Sequence, residues 1–450
     1  MRTTDFTGNP VSGASREAAG QADALLGRLL AFRGDPMSEV EGLLATYPDF
    51  AMAHIIRATL FAMAMEPGTE PMLRESLAAL APLEPVMTDR ERGHVEVLRL
   101  WARRDWIGAS ERSAELTMAF PRDLLALMFG HQTDFFVGRQ TELLDRITRA
   151  LVHWQPGEPG QGFLLGMRAF GLEENNRFEE AEEEGRAATE TFAGDAWAIH
   201  AVAHCFEMQG RPRDGIAWLN AMSADWAPDN MLAVHNWWHL ALFHLEQGEH
   251  DRALALYDAQ IARDVGAPAL ELVDAASMLW RLRLIGVDVG GRFETIADAW
   301  EAAVGEDGAG HYGFNDLHLA LALAGAGRSG RAEAHLRRLE AAAARRHPHA
   351  SVLAEVALPA VRAVYALAHG DPEGAGILAQ RMRGASLRLG GSNAQRNLFW
   401  WTARAAAEAA GDRHRHRLLC AERLADRPGS ALARALARRF AAPRSLPAAA

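Results

Sequence analysis

The chain has 450 residues, 49% of them hydrophobic, a length beyond one ordinary core that calls for several domains or a single elongated repeat array. Its formal net charge of -11 argues against a dedicated nucleic-acid binder, and two cysteines, Cys205 and Cys420, supply neither a disulfide framework nor a cysteine-based zinc site. All 47 basic residues are arginine, which excludes a P-loop nucleotide site and a pyridoxal-phosphate (PLP) lysine.

Residues 1–20 open without an apolar signal-like stretch and are expected to be a mobile N-terminal segment. The body, 21–440, reads as a single solenoid, and 441–450 as a mobile tail. No uninterrupted apolar run approaches the ~18–20 residues of a membrane span, so a soluble, cytoplasmic chain with no membrane partner is expected. Weak helical units occupy 94–123 and 123–140, and QPGEPGQG (155–162) reads as a loop and hinge. Three clear units follow: FLLGMRAFGLEENNRFEEAEEEGRAATETFAGD, WAIHAVAHCFEMQGRPRDGIAWLNAMSADWAPD and LAVHNWWHLALFHLEQGEHDRALALYDAQIARD. Their turns NNRFEEA, QGRPRDG and QGEHDRA align and put Ala181, Gly215 and Ala253 where the second helix of each hairpin packs closely on the first. Weaker units return at 314–341 and 361–382. The spacing, 33 to 38 residues, predicts an all-α, tetratricopeptide-like α-solenoid, a right-handed superhelix of ten to twelve hairpins, either open or closed around a central channel. The acidic stretch 173–185 and the arginine-rich stretches 328–347 and 412–445 read as solvated outer faces.

First helices of successive hairpins line the concave wall of such a solenoid, so their polar residues share one surface. His200 and His204 are four apart on one helix face, with Glu207 further along it, and His235 and His239 repeat the arrangement on the next first helix. Trp197, Trp237 and Trp238 flank them. Counted from the aligned turns, the imidazoles form an interleaved ladder about three turns tall, too spread for all four to reach one ion. The metal version is therefore a smaller set, His200, His204 and His239, around a divalent ion. Imidazoles that bind an organic ligand or peptide, and imidazoles satisfied by inter-repeat packing, are the alternatives.

His131 with Asp134, and Asp316 with His318, could each form an oriented acid/base pair, although a local spacing of two separates Asp316 from His318 on the helix surface. In LGGSNAQR (389–396), Ser392 and Gln395 fit a capping box, and the helix start beside Arg396 could hold a carboxylate or phosphate or be an ordinary loop-to-helix entry. Asp274 and Arg281 fit an internal salt bridge better than a substrate clamp. Neither cysteine is a convincing nucleophile, and no GxSxG, HExxH, GxGxxG or DxDxDG motif occurs.

The segments DAWAIHAVAHCFEMQGRPRDG, DNMLAVHNWWHLALFHLEQGEHDRALALYD, VDAASMLWRL, FNDLHLALA and LGGSNAQRNLF together resemble the tetratricopeptide repeat protein 38 family, over about residues 10–435. The resemblance implies polar motif positions at His54, His94, His131, His200, His204, Glu207, His235, Asn236, His239, Asp274, Asn315, Asp316, His318, Ser392, Asn393, Gln395 and Arg396. Where the family pattern has an Asp after the first of these central histidines, this chain has Gln132 after His131. With Trp197 and Trp238 these residues make the candidate ligand-binding set; His131, His200, His239, Asp316 and His318 are the catalytic candidates. The resemblance names no reaction. The expected function is a helical-repeat protein binding a small polar or aromatic ligand, or a partner peptide, in its concave channel. The alternative is an enzyme using the same channel for metal-assisted or His/Asp acid-base hydrolysis or group transfer, and a plain assembly scaffold is the third reading. No cofactor is required, a divalent metal is compatible, and the oligomeric state stays open.

Overall fold

The computed structural model describes residues 3–439 except 193, 263–265, 267 and 306. Helix starts are set by side-chain caps: Asp123 accepts from the Ala126 amide, Asp195 from those of Trp197 and Ala198, and Thr88 and Glu91 form a reciprocal capping box. Helices end where glycine takes the left-handed conformation, as at Gly138 (φ 71°) and Gly248 (φ 80°). Pairing consecutive helices, from Arg16–Leu30 with Pro36–Thr46 through to Leu398–Ala409 with Arg413–Asp426, gives eleven hairpins among the described residues, and Ala431–Arg439 closes the end. No strand forms among those residues; their β pairing is limited to two isolated bridges, Thr4 to Pro10 and Arg33 to Asn230. The fold is an all-α, tetratricopeptide-like helical-repeat array.

Two of the first helices are buried on every side along nearly their whole length. In Ala196–Met208 every residue from 196 to 207 is buried, and Gly313–Gly325 is buried from 313 to 324. A helix buried all round carries no exposed stripe, whereas second helices such as Phe178–Thr191 bury only a narrow face. Close approach is achieved at the aligned small positions, where Ala181 and Ala253 are fully buried and Gly215 lies against the Phe243 ring.

Contacts between distant hairpins close the array on itself. Asn315 donates to the Met65 carbonyl (2.9 Å), the Ala269 amide to Glu66 (2.8 Å), and the Asn230 amide to the Ala31 carbonyl (3.2 Å). Phe32 stacks on Trp197 with ring centroids 5.5 Å apart. Near the C-terminus, the Asn393 amide donates to Glu174 (2.6 Å), and Arg427 lies 3.7 Å from Glu207. Hairpins far apart in sequence are therefore held against one another by side chains of the array itself.

Two expectations differ from this arrangement. Residues 3–20 join the body: Arg16 begins a helix, Asn9 donates to the Arg122 carbonyl, and Asp5 pairs with buried Arg90. The cause is that buried Arg90 needs carboxylates and finds one in this segment. The tail 441–450 lies outside the described residues. The acidic stretch 173–185 is not wholly a solvated face, since Glu173 and Glu174 at its start are the buried end of a first helix. Ala350–Ala368 is long and apolar enough to cross a membrane by composition, but it carries Glu355 and Arg362 and half of it is buried among its neighbours.

Candidate functional site

The ladder of imidazoles contracts into a cluster. The ligand nitrogens of His200, His204, His235 and His239 all lie within 4.8 Å of one another, which corrects the expectation that four could not share one ion. The interleaving itself persists, because the two ends of the ladder, His204 and His235, have the widest ring separation at 6.4 Å, while His204 and His239 are at 4.4 Å. Side chains on a helix lean along its axis, and that reach brings nitrogens together whose backbones are turns apart.

Two of the rings are oriented from outside. His239 turns Nδ1 to Glu207 (2.9 Å), and His235 turns Nδ1 to Asp274 (2.8 Å). His204 Nδ1 lies 3.3 Å from Glu173, though without hydrogen-bond alignment. The inward Nε2 atoms of His235 and His239 face each other at 3.3 Å. His200 has no hydrogen-bond partner on either ring nitrogen, and neither has His204. Trp197 and Phe170 wall the His200 side, at ring distances of 5.0 and 5.5 Å, and Trp238 stacks on His235. His200, His204 and His239 are buried, whereas the His235 side chain is 17% exposed and marks the side open to solvent.

Burial sets the protonation. It holds His200 and His239 well below the usual imidazole range and lowers His204 to about 4, so these rings are neutral lone-pair donors near neutral pH. Burial also raises the Glu173 carboxyl to about 8, against the opposing pull of Asn393, Glu174 and Arg396. Glu174 faces the same cluster, within reach of His204 and Glu173, but it is already held by Arg396 (2.9 Å), the Asn393 amide and Gln140.

The Ser392 and Gln395 capping box is present, and the helix start that it builds does meet an anion. That anion is Glu174 of the same chain, so the expected carboxylate or phosphate subsite is filled by an internal carboxylate. Asn393 and Arg396 thus support the cluster from behind. Asp274 and Arg281 form no ion pair: Asp274 serves His235, and Arg281 donates to the Ser277 and Ala394 carbonyls and covers the Trp238 ring. Trp238 itself donates to Ser277, and Asn236 is buried with both amide atoms unpartnered.

The other candidates have separate engagements. Asp316 accepts from the Gly310 amide and pairs with His335 (3.0 Å), while His318 Nδ1 meets the Phe314 carbonyl, so these two are no acid/base pair. Asp134 is taken by buried Arg146 and Ser110, leaving His131 on the Leu143 carbonyl and against Phe170 and Trp197, one aromatic layer behind His200. Both dyads fail because a buried carboxylate binds whichever donor completes its shell, and His318, two residues from Asp316, also points away from it. Asn315 serves the closure contact to Met65, His54 meets the Pro48 carbonyl, and His94 sits in an Asp123 and Arg90 network. Cys205 and Cys420 are buried free thiols, both raised by burial, in keeping with the absence of a nucleophile reading.

Sequence reasoning missed Glu173, Glu174 and Arg427. A usable signal was present, since the first two stand two and one residues before the turn NNRFEEA and so belong to a first helix.

No family model matches the chain. Among solved structures it is similar to a Rap protein complexed with competence and sporulation factor (12% identity, 83% of this chain and 99% of that one, TM-score 0.45). It is also similar to the APC/C hetero-tetramer Cut9-Hcn1 (11%, 95% and 97%, 0.39) and to the human IFIT1 dimer with PPP-AAAA (11%, 96% and 96%, 0.42). At such identities and TM-scores the likeness says nothing about ligand or activity.

Proposed function

We propose that the protein is a binding protein that holds a small electron-poor ligand, a cation or a molecule rich in N–H or O–H donors, on the histidine cluster at its centre. The observation that carries this reading is the convergence of neutral, unpartnered imidazole nitrogens in a buried interior. Buried polar atoms are normally satisfied, and a group of acceptors facing one another selects a donor or a cation. The carboxylates of Glu207 and Asp274 behind the rings act in the same sense, since they favour positive charge at the centre. Within this reading the chain is a member of the tetratricopeptide repeat protein 38 family, on the motifs quoted above, acting in the cytoplasm. A partner peptide laid along an open groove fits less well, because two of the first helices are buried on all sides.

A catalytic reading is favoured by one feature. His235 is the exposed member and is oriented by Asp274, the arrangement of a ring that passes protons to a bound molecule in hydrolysis or group transfer.

The test is a thermal-shift screen of the purified protein with amines, amino acids, nucleosides and sugars, repeated with His200→Ala and His239→Ala. Stabilising compounds should lose their effect in both variants. Undiminished stabilisation in both would move the binding site elsewhere.

A further inference from the structure

Resting on the reading above, we propose that the centre is a metal site in which His200, His204, His235 and His239 together bind one divalent transition-metal ion through nitrogen. The argument starts with two rings. His235 and His239 each turn Nδ1 to a carboxylate, an arrangement that places the imidazole proton on Nδ1 and leaves Nε2 a bare lone pair. These two lone pairs then face each other at 3.3 Å, which is repulsive unless something positive lies between or beside them.

A proton shared by that pair answers only part of the problem. It leaves His200 and His204, whose four ring nitrogens have no hydrogen-bond partner, in contact with the same space. One ion takes a lone pair from each of the four rings at once. With metal–nitrogen bonds of ~2.0–2.1 Å, the nitrogen–nitrogen edge of a tetrahedron is about 3.3–3.4 Å, which matches the His235 to His239 separation. The remaining nitrogens, all within 4.8 Å of one another, need only small ring rotations to complete it.

The surroundings fit the charge and the chemistry. An imidazole that ligates a metal usually donates its other N–H to a carboxylate, and Glu207 and Asp274 stand in those positions. Glu173 is 3.3 Å from His204 Nδ1 and reaches it by a small rotation. The carboxyl groups of Glu207 and Asp274, placed behind the ligands, offset a divalent charge without touching it. An all-imidazole set selects zinc, cobalt, nickel or copper over calcium and magnesium, which take oxygen. The set is larger than the three histidines expected from sequence, because His235 joins it.

The experiment uses the full chain, stripped with chelator and titrated with Co(II), with Zn(II) competition. One equivalent should bind, with the intense visible absorption of a tetrahedral nitrogen site, and X-ray absorption of the zinc form should show about four nitrogens at ~2.0–2.1 Å. His235→Ala alters the exposed member and is the variant chosen to preserve the fold; it should reduce coordination by one nitrogen. Asp274→Asn and Glu207→Gln should weaken binding about 10- to 100-fold without changing the ligand count. Absence of stoichiometric binding to the folded wild-type chain, or a Co(II) spectrum and affinity unchanged in His235→Ala, would overturn the site. If no ion binds while small-molecule stabilisation still requires His200 and His239, the metal is wrong and the binding reading stands. If Co(II) binds as described but those compounds act independently of the histidines, the reverse holds.

Discussion

Glu173 is a glutamate whose surroundings keep it protonated. Its ordinary value is 4.5 and burial raises it to about 8, so between these limits the unfolded chain is ionised while the folded chain retains a proton. Folding then takes up a proton, and this residue's contribution to stability is undiminished below pH 4.5 and declines as pH rises toward 8. Replacing it by Gln keeps the size and a donor but removes the titration. The melting temperature of Glu173→Gln minus that of wild type should climb steadily across that window; a flat difference would show that Glu173 is ionised when folded. Taking the difference matters because the buried histidines act in the opposite direction. Their lowered values mean that acid favours the unfolded state, in which they regain ordinary basicity.

At the scale of elements, the hairpin turns were legible because they depend on short-range chemistry: an aligned small residue, a left-handed glycine, an Asp or Ser cap. Gly215 tests that legibility. A Cβ there would come within 2.3 Å of the Phe243 ring, which is itself buried, so the ring cannot swing clear. Gly215→Ala gains roughly 1 kcal/mol of helix propensity and loses about 1–3 kcal/mol to overpacking. The expected net effect is a lower urea midpoint, and an unchanged or higher midpoint would show that the hairpins separate easily. The histidine positions and their interleaving were equally readable, since they follow from counting residues. What counting could not supply was the reach of the side chains, and so the four-ring cluster was lost. The partners of Asp134 and Asp316 were also hidden, because Arg146 and His335 arrive from other helices.

For the molecule as a whole, the decisive contacts join residues hundreds of positions apart, and no local pattern announces them. Met65 holds a left-handed backbone at φ 55°, unusual for a residue with a side chain, and its carbonyl is taken by Asn315 from 250 positions away. Asn315→Ala strands that buried carbonyl, at about 1–3 kcal/mol. Amide hydrogen exchange should accelerate in both Ala51–Met63 and Gly313–Gly325, the two helices next to the contact. Acceleration in only one would show that the ends of the array are not coupled. The same closure has a consequence for how the centre comes into being. The four histidines have all been synthesised by residue 239, but Asn393 and Arg396, which hold Glu174, and Arg427, which faces Glu207, are synthesised more than 150 residues later. Throughout that interval the carboxylates beside the imidazoles lack these partners, so the centre reaches its final form only when the last hairpins dock.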